Sequence, residues 1–289
     1  MNAPLLVKVG GSLEDPAGLL DDLAGHPDPL VIVHGGHRAR DRLSAQLGHP
    51  PRTVTSASGA TTRYTDATGM DHMLMAYCGL VGKRVVLALQ SRGRRAVGLA
   101  ALDGGMVRGR RRADIRVREA GRTVVLHGDH AGTIHTVDVT LLRSLSDAGI
   151  TPVVCPPALG DDGAPINVDG DRLAAELAVA LGAARLVIFS DTAGLLADLD
   201  DPESVVREAT LDDIASLGAL ARDRARTKLA AVSRALRGGV AAVGLCDGRR
   251  DRPLVDALAG AGTWFGVGQT SSPGDGSAPV PGSLAALRL

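Results

Sequence analysis

The chain opens on the stretch Leu5-Leu6-Val7-Lys8-Val9-Gly10-Gly11-Ser12. Its aliphatic residues predict a buried strand, and the two glycines predict a tight turn at the end of that strand. Such glycines let backbone N–H groups approach a phosphate, and Lys8 can place its ammonium on the same oxygens. The spacing fits neither a Walker loop nor a dinucleotide fingerprint. An ordinary strand-to-helix turn remains the alternative reading.

Short apolar runs alternate with helical stretches along the rest of the chain. This order predicts an α/β protein, a three-layer α/β/α sandwich with a central, mostly parallel sheet. The predicted strands are 5–9, 30–33, 95–99, 152–155, 186–190 and 241–246, with a polar hairpin across 106–126 that turns near 120–121. The predicted helices are 15–24, 38–47, 66–89, 139–148, 170–181, 211–217 and 227–236, and 269–289 is predicted to be a disordered tail.

Composition excludes several classes of function. The 32 basic and 32 acidic residues cancel, and aromatics make up 2% of the chain, so no stacking platform for nucleic acid is expected. The three cysteines form no CxxC pair, which predicts a reducing, cytoplasmic setting without a metal site. We also expect no segment to approach the ~20 apolar residues needed to cross a bilayer. A cluster of His127, Asp129, His130 and His135 is interpreted as part of a polar hairpin rather than as metal ligands.

Lysine is scarce, since only Lys8, Lys83 and Lys228 occur among the 32 basic residues. A lysine kept in such a chain is a candidate for a position that needs a compact ammonium. Lys228 is placed at the start of the predicted helix 227–236, where a cation opposes the helix dipole unless an anion binds there. Plain surface exposure is the alternative.

Four more motifs follow predicted strands or open helices. His34-Gly35-Gly36 repeats the glycine pair at a second strand end, where open α/β sheets bind ligands. Asn167-Val168-Asp169-Gly170-Asp171 opens a helix, so an N-cap is the simple reading, yet an Asp there could hold two lysines in place. Ser190–Leu195 is either a turn or a nucleotide-binding loop. Arg63 is either a surface residue or a bidentate grip for a carboxylate.

Taken together and in this order, these motifs resemble the amino-acid kinase family, specifically its acetylglutamate kinase branch. The segment from Val54 to Gly59 that runs into Arg63-Tyr64-Thr65-Asp66 is most similar to the kinases that act on a LysW-type carrier protein. The resemblance implies ATP and Mg²⁺ as cofactors, and phosphorylation of the side-chain carboxylate of carrier-bound glutamate or 2-aminoadipate. It further implies a homodimer formed through the helix 66–89.

The resemblance also implies roles for individual residues. Lys8 would neutralise the phosphoryl group in transfer, Lys228 would stabilise the leaving oxygen of ADP, and Asp171 would orient both lysines. Arg63 and Asn167 would hold the acyl substrate. The phosphate would be bound by Gly10, Gly11, Gly35 and Gly36, and the nucleotide by Ser190, Asp191, Gly194 and Leu195. By this reading, 1–165 binds the acyl substrate and dimerises, and 166–268 binds ATP.

Ten arginines lie between Arg92 and Arg122, and three acidic residues oppose them. In a chain of net charge 0 this predicts a local positive field that can attract an acidic carrier protein. A solvated, aggregation-resistant hairpin is the alternative. Reversing the charge of Arg110, Arg111 and Arg112 is then expected to raise the KM for the carrier-bound substrate.

Two positions depart from the family pattern. His37 stands where a third glycine is usual, and the glycine-rich approach to the second lysine is replaced by residues 221–226, where Arg224 or Arg226 could contact phosphate. Other functions therefore stay open: an acetylglutamate kinase for the free substrate, or a non-catalytic sensor of nucleotide or amino acid. An NAD-dependent oxidoreductase is disfavoured because GxGxxG is missing.

Overall fold

A computed structural model describes residues 3–13, 16–56, 61–112, 114–119, 122–198, 201, 203–220 and 223–266. The predicted tail, 269–289, lies outside these residues, as do Ala57–Gly59 and the turn at 120–121. The strands are β1 (Leu5–Val9), β2 (Leu30–His34), β3 (Arg52–Thr55), β4 (Thr61–Tyr64), β5 (Ala96–Ala100), β6 (Val107–Arg111), β7 (Asp114–Glu119), β8 (Arg122–His127), β9 (Gly132–Val137), β10 (Thr151–Cys155), β11 (Ala158–Gly160), β12 (Pro165–Ile166), β13 (Arg185–Ser190), β14 (Glu208–Thr210), β15 (Ala242–Asp247) and β16 (Thr263–Gly266).

The helices lie between these strands and cover the sheet. They are α1 (Ala17–Gly25), α2 (His37–Gln46), α3 (Ala67–Met73), α4 (Gly82–Gln90), α5 (Thr140–Asp147), α6 (Gly170–Leu181), α7 (Ile214–Leu220), α8 (Asp223–Arg237) and α9 (Pro253–Leu258). A π-helical segment, Leu74–Val81, joins α3 to α4 without a break.

The central sheet has eight strands in the order β14-β16-β15-β13-β1-β2-β10-β5. All neighbours from β15 to β5 pair in parallel, and β16 pairs antiparallel to β15. The strand β1 therefore lies in the middle of the sheet, between β2 and β13. Because the parallel strands point the same way, their carboxyl ends form one edge, where β1 and β2 end in their glycine pairs.

Alternation along β1 assigns its side chains to two separate cores. Leu5, Val7 and Val9 pack on the face covered by α1, α4 and α9, whereas Leu6 packs on the opposite face against α6. Lys8 follows the same two-residue period and so points toward α6. The three-layer architecture predicted from the sequence is confirmed.

Smaller sheets stand over the carboxyl edge of the central sheet. A four-stranded sheet has the order β12-β11-β6-β9, and two hairpins are formed by β3–β4 and β7–β8. A bridge between Ser56 and Val117 joins the two hairpins, and Tyr64 Oη donates a hydrogen bond to His127 O. These strands form the roof over the cavity described below.

The structure corrects the predicted bounds in several places. The long helix forms as predicted but contains the π-helical segment. The segment predicted as one hairpin across 106–126 is β6, which pairs with β9, and the separate hairpin β7–β8. The helix that carries Lys228 begins at Asp223, not at Thr227. Lys228 therefore lies beyond the first turn, where the free N–H groups of a helix are found, and the helix-dipole argument for it was wrong.

The continuous helix Ala67–Gln90 is long and apolar enough, by length and composition, to cross a membrane. The expectation that no segment would reach this length and hydropathy was therefore wrong. The helix packs instead against the α/β core, where Val85, Val86 and Leu89 are buried. Where this helix meets the central sheet, the thiols of Cys78 on the helix and Cys155 on β10 lie 3.8 Å apart.

Candidate active site

Lys8 and Lys228 converge on one carboxylate. Lys8 Nζ lies 2.6 Å from Asp171 Oδ1, and Lys228 Nζ lies 3.3 Å from Asp171 Oδ2. Lys8 comes from the end of β1, Asp171 from the first turn of α6, and Lys228 from α8. Since α6 packs on β1 and on α8, the contacts between these three elements bring the charges together.

The start of α6 is fixed by its own cap. Asp169 is the N-cap, and its Oδ1 accepts hydrogen bonds from the backbone N–H groups of Asp171 and Arg172 at 2.9 Å each. The N-cap reading of this motif is thus correct for Asp169. Asp171 is left to pair with the lysines, so the two acids of the motif have different tasks.

Burial and charge have opposite effects on the pKa values of Asp171 and Lys228. Burial by itself would raise the pKa of Asp171, but the ammonium groups of Lys8 and Lys228 outweigh it and hold the pKa at about 2. Burial lowers the pKa of Lys228, and the attraction of Asp171 offsets only part of that shift. The carboxylate is consequently ionised at neutral pH and keeps two cations side by side.

The two glycine pairs interlock next to Lys8. A Cβ on Gly11 would lie 2.8 Å from Gly36 N, and a Cβ on Gly35 would lie 2.9 Å from Gly11 N. A Cβ on Gly10 would lie 2.7 Å from Phe189 O. These glycines are required because three strand ends approach one another too closely for any side chain. The approach leaves a cluster of backbone groups beside the lysines.

One cavity of about 600 Å³ collects the predicted site residues at this edge of the sheet. All of them line it except Gly36, whose Cα faces the ring of Tyr77. The lining set predicted from the sequence is Lys8, Gly10, Gly11, Gly35, Arg63, Asn167, Asp171, Ser190, Asp191, Gly194, Leu195 and Lys228.

The loop after β13 forms the other end of the cavity. Gly194 has a φ of +151°, and a Cβ there would lie 2.7 Å from Thr263 Oγ1. The same hydroxyl accepts a hydrogen bond from Leu195 N at 2.8 Å. Glycine is therefore needed at position 194, both for its backbone conformation and for its close contact with Thr263, and the loop is held in one shape.

Arg63 belongs to the roof hairpin β3–β4, and Asn167 lies beside the end of that hairpin. Asn167 Nδ2 donates to Thr65 Oγ1 at 3.1 Å, which fixes the amide. Arg63 Nη2 lies 2.6 Å from Asp41 Oδ2, with 38% of its side chain exposed. Both residues line the same cavity as the loop that follows β13.

Several lining residues escaped the sequence reading. Arg40 and Tyr77 are buried on helices, and a helical pattern does not show that their faces meet a cavity. His37 also lines the cavity, as Ala225 and Thr227 do at the start of α8. Arg226 is exposed, and the side chain of Arg224 lies outside the described residues. Five further lining residues lie inside motifs that the sequence had singled out: Ser12, Val168, Asp169, Gly170 and Thr192. The other residues missed are Thr61, Thr62, Arg112, Ala131, Gly132, Pro156, Leu196 and Leu245.

No metal site is found around the histidines among the described residues. Each histidine has its own partner: His127 pairs with Asp114, His130 Nδ1 lies 2.9 Å from Pro165 O, and His135 pairs with Asp161. The polar-hairpin interpretation holds for His127, while His130 and His135 belong to the four-stranded sheet and its loops.

The chain is similar to known proteins over most of its length. The model of the amino acid kinase family matches residues 4–246. A LysW-aminoadipate kinase of Deinococcus radiodurans is 43% identical over 263 residues, which is 90% of each chain. The LysW-aminoadipate kinase of Thermus thermophilus is 40% identical over 90% of this chain and 98% of its own. An acetylglutamate kinase of Methanopyrus kandleri is 36% identical over 73% of this chain and 81% of its own.

Solved structures agree with this fold. N-acetylglutamate synthase from Neisseria gonorrhoeae, complexed with coenzyme A and N-acetyl-glutamate, superposes with a TM-score of 0.74 at 25% identity. The match covers 92% of this chain but only 60% of that longer chain. A carbamate kinase of Giardia superposes with a TM-score of 0.63 at 15% identity, covering 92% of this chain and 99% of its own. The second likeness concerns the fold alone.

Proposed function

This chain belongs to the amino acid kinase family and is an ATP-dependent phosphotransferase with a carboxyl acceptor, and on that premise we propose its substrate and the roles of its residues. The acceptor is the side-chain carboxylate of 2-aminoadipate or glutamate whose amino group is attached to a small acidic carrier protein. The product is an acyl phosphate of lysine- or arginine-type biosynthesis. The observation that carries this proposal is the pair of ammonium groups that share Asp171 in the cavity.

Phosphoryl transfer to a carboxylate requires charge stabilisation rather than proton transfer. A carboxylate is already ionised at pH 7, so no general base is required. Phosphoryl transfer then depends on positioning and on neutralising the charge of the transferring group. Lys8 neutralises that group, Lys228 stabilises the leaving oxygen of ADP, and Asp171 orients both ammonium groups. The backbone N–H groups of Gly10, Gly11 and Gly35 support the phosphate, and Gly36 closes the turn behind them.

The cavity suits a nucleotide with Mg²⁺. This ion takes one or two carboxylates beside phosphate oxygens, and Asp169 and Asp191 both line the cavity, so the available donors fit. When bound there, Mg²⁺ would neutralise part of the charge on the β- and γ-phosphates. The loop from Ser190 to Leu195 holds the nucleotide, and Arg63 and Asn167 hold the acyl group at the other end.

The carrier docks on the arginine-rich hairpin. Arg116, Arg118 and Arg122 are exposed on β7–β8, next to the roof of the cavity. Three other arginines of the predicted cluster lie elsewhere: Arg92 pairs with Asp21, Arg94 donates to backbone carbonyls at the end of α1 and just after it, and Arg95 donates to Ala148 O.

Of the three arginines Arg110, Arg111 and Arg112, two have tasks at the cavity itself. Arg111 donates to Asp129 O and Gly128 O and so holds the roof together, while Arg112 lines the cavity. Charge reversal of Arg116, Arg118 and Arg122 together is the cleaner test. We expect the triple variant to raise the KM for the carrier-bound acceptor about tenfold at low salt, because exposed charges act mainly on encounter. The KM for ATP stays unchanged.

A matched control reverses three exposed arginines far from the hairpin, at Arg185, Arg237 and Arg252. It has the same change of net charge, so we expect it to leave the KM for the carrier-bound acceptor within twofold of the parent value. Equal effects of the two triple variants, or a KM that is insensitive to salt, would contradict docking at the hairpin.

We further propose that the protein works in the cytoplasm as a homodimer. Residues 1–165, with Asn167 just beyond them, hold the acyl substrate and form the dimer, while the rest of 166–268 binds ATP. The support for the dimer is the continuous helix Ala67–Gln90, whose outer face exposes Met75, Leu80 and Leu87. An acetylglutamate kinase acting on the free amino acid is the second candidate, favoured by the 36% identity to the relative of that name.

ADP release from a panel of acceptors separates these functions. The panel contains carrier-bound aminoadipate, carrier-bound glutamate and free N-acetyl-L-glutamate, each with ATP and Mg²⁺. We expect the carrier-bound acceptors to give the higher kcat/KM. A preference for free N-acetyl-L-glutamate would favour the second candidate, and no turnover with any acceptor would contradict the kinase proposal.

A further inference from the structure

Asp41 lies between two arginines at the acyl end of the cavity. Its Oδ1 accepts hydrogen bonds from Arg40 Nε at 3.1 Å and Arg40 Nη2 at 2.9 Å, and its Oδ2 lies 2.6 Å from Arg63 Nη2. Both arginines line the cavity, whereas Asp41 does not. The carboxylate thus stands behind the two guanidinium groups and holds each of them by a separate oxygen.

The three residues come from elements that otherwise meet only loosely. Arg40 and Asp41 lie on α2, one turn after the glycine pair of the phosphate site, and Arg63 lies on β4 in the roof hairpin. The side chain of Arg40 is 7% exposed and that of Asp41 is 21% exposed, so both are held by the packing of α2. Arg63 is 38% exposed, so its position depends more strongly on its partner.

We propose that Asp41 is a positioning residue that sets the site for its acceptor. This inference rests on the proposed function, in which Arg63 helps to hold the acyl substrate, and it assigns to Arg63 the carboxylate of that substrate that does not react. A guanidinium has five N–H donors, and the contact with Asp41 uses Nη2. Among the described residues the other donors of Arg63 have no recorded partner, so they can reach the acceptor while Asp41 keeps the side chain pointed into the cavity.

Charge at this end of the cavity has a second consequence. The two arginines and one aspartate together carry a net charge of +1. An amino-blocked glutamate or aminoadipate has one carboxylate besides the reacting group, so the charges match one to one. Without Asp41 the cluster would carry +2, and Arg63 would be free to adopt other rotamers. Asp41 therefore matches the site to an acceptor with a single additional carboxylate.

The test is steady-state kinetics of Asp41→Asn with the acceptor that the parent enzyme turns over best. We expect the KM for the acceptor to rise about tenfold, a size set by a charge-assisted hydrogen bond to Arg63. The KM for ATP stays within twofold and kcat changes less than KM. Asp41→Glu keeps the charge but moves it by one methylene, and we expect it to recover part of the acceptor KM. Asp147→Asn on α5 is the control, being an exposed helical aspartate away from the cavity.

A double-mutant cycle shows whether Asp41 acts through Arg63. In an Arg63→Met background, Asp41→Asn is expected to leave the acceptor KM unchanged, because the group it positions is gone. A further rise of equal size in that background, or an acceptor KM that is unchanged or lower in Asp41→Asn alone, would overturn the inference. Loss of folding in Asp41→Asn with full activity in Asp41→Glu and Arg63→Met would also overturn it. A parent enzyme without any carboxylate acceptor would instead sink the proposed function, and this inference with it.

Discussion

Lys8 and Lys228 are held by different oxygens of one carboxylate, so neither ammonium can be replaced by charge alone. An arginine at position 8 keeps the charge but is longer and planar, and the side chain of Lys8 is only 9% exposed. We expect Lys8→Arg to lower kcat by about 100-fold or more, the usual effect of losing one preorganised charge donor. Steady-state ADP release measures it.

Lys83 offers the control for this substitution. It is the third lysine of the chain, it is exposed on α4, and it does not line the cavity. We expect Lys83→Arg to leave kcat within twofold. If Lys8→Arg kept most of the activity, a different catalytic cation would become the better explanation.

His34 couples stability to pH. The ring is buried, its Nδ1 lies 2.9 Å from Gly35 O, and its Nε2 has no partner among the described residues. Burial lowers the pKa of His34 from 6.5 to about 4, although the backbone hydrogen bond opposes the shift. As the pH falls below 6.5, the unfolded chain binds a proton at His34, whereas the folded chain does not bind it until about pH 4. The free energy of unfolding therefore decreases as the pH falls from 6.5 to about 4.

The expected loss in the free energy of unfolding between pH 7 and pH 5 is about 2 kcal/mol from this group. A His34→Gln variant should lack that component, which urea denaturation at both pH values measures. Equal pH dependence in the two proteins would show that His34 titrates normally.

Asp171 affects stability at lower pH than His34. Because its pKa is held at about 2, its contribution to the free energy of unfolding is lost only as the pH falls from 3.8 toward 2.

At the scale of elements, the two glycine turns are packed as one unit. A methyl group at position 11 would lie 2.8 Å from Gly36 N and 2.8 Å from His37 Nδ1, so either β1 or α2 has to move. We expect Gly11→Ala to lower the free energy of unfolding by about 1–3 kcal/mol and kcat by at least tenfold. Denaturation and steady-state kinetics on the same preparation check both effects.

Gly25→Ala is the matched control, since a Cβ on Gly25 meets nothing within 4 Å. It ends α1 far from the cavity, and alanine in a helix is expected to be neutral or to add up to about 1 kcal/mol of stability. A Gly11→Ala protein as stable and active as Gly25→Ala would mean that the two turns have room to separate.

Some elements could be predicted from the chain alone and others could not. The strand 5–9 and the helix Gly170–Leu181 are bounded by clear signals, a glycine pair and an aspartate cap. The strand β12 has two residues and carries no periodicity of its own, so only its pairing with β11 defines it. The first turn of α8 is rich in arginine without an apolar stripe, which is why its start was placed too late.

The site shows the same division. Glycine pairs, scarce lysines and a capped helix could be found in sequence, since each stands out in its local context. Asp41 could not, because one more charged residue on a helix has no visible partner until β4 brings Arg63 to it. Arg40 was missed for the same reason, as its burial depends on elements distant in the chain.

At the scale of the whole molecule, the exposed stripe on Ala67–Gln90 is the surface best suited to a second copy. Met75 and Leu87 are 53% and 63% exposed, and burying such side chains stabilises an interface. We expect a dimer by light scattering after size-exclusion chromatography, and a shift toward monomer in a Met75→Asp, Leu87→Asp variant. Val125→Asp, on the hairpin, should leave the dimer intact.

A monomeric parent protein would contradict this prediction directly. Dissociation by Val125→Asp instead of the helix variant would place the interface on the hairpin, where carrier docking is proposed. Aspartate replaces an exposed apolar side chain on both the helix and the hairpin. A general effect of such a substitution on solubility would therefore appear in both variants and not in one of them.

The position of β1 in the middle of the sheet has a consequence for synthesis on the ribosome. The strand β1 is translated before both of its neighbours and can pair with β2 early, but its other side stays open until β13 has been translated, more than a hundred residues later. During that interval the nascent chain presents an unpaired strand edge, which invites aggregation or chaperone binding. Lys8 likewise lacks its counter-ion until Asp171 has been synthesised and has left the ribosome.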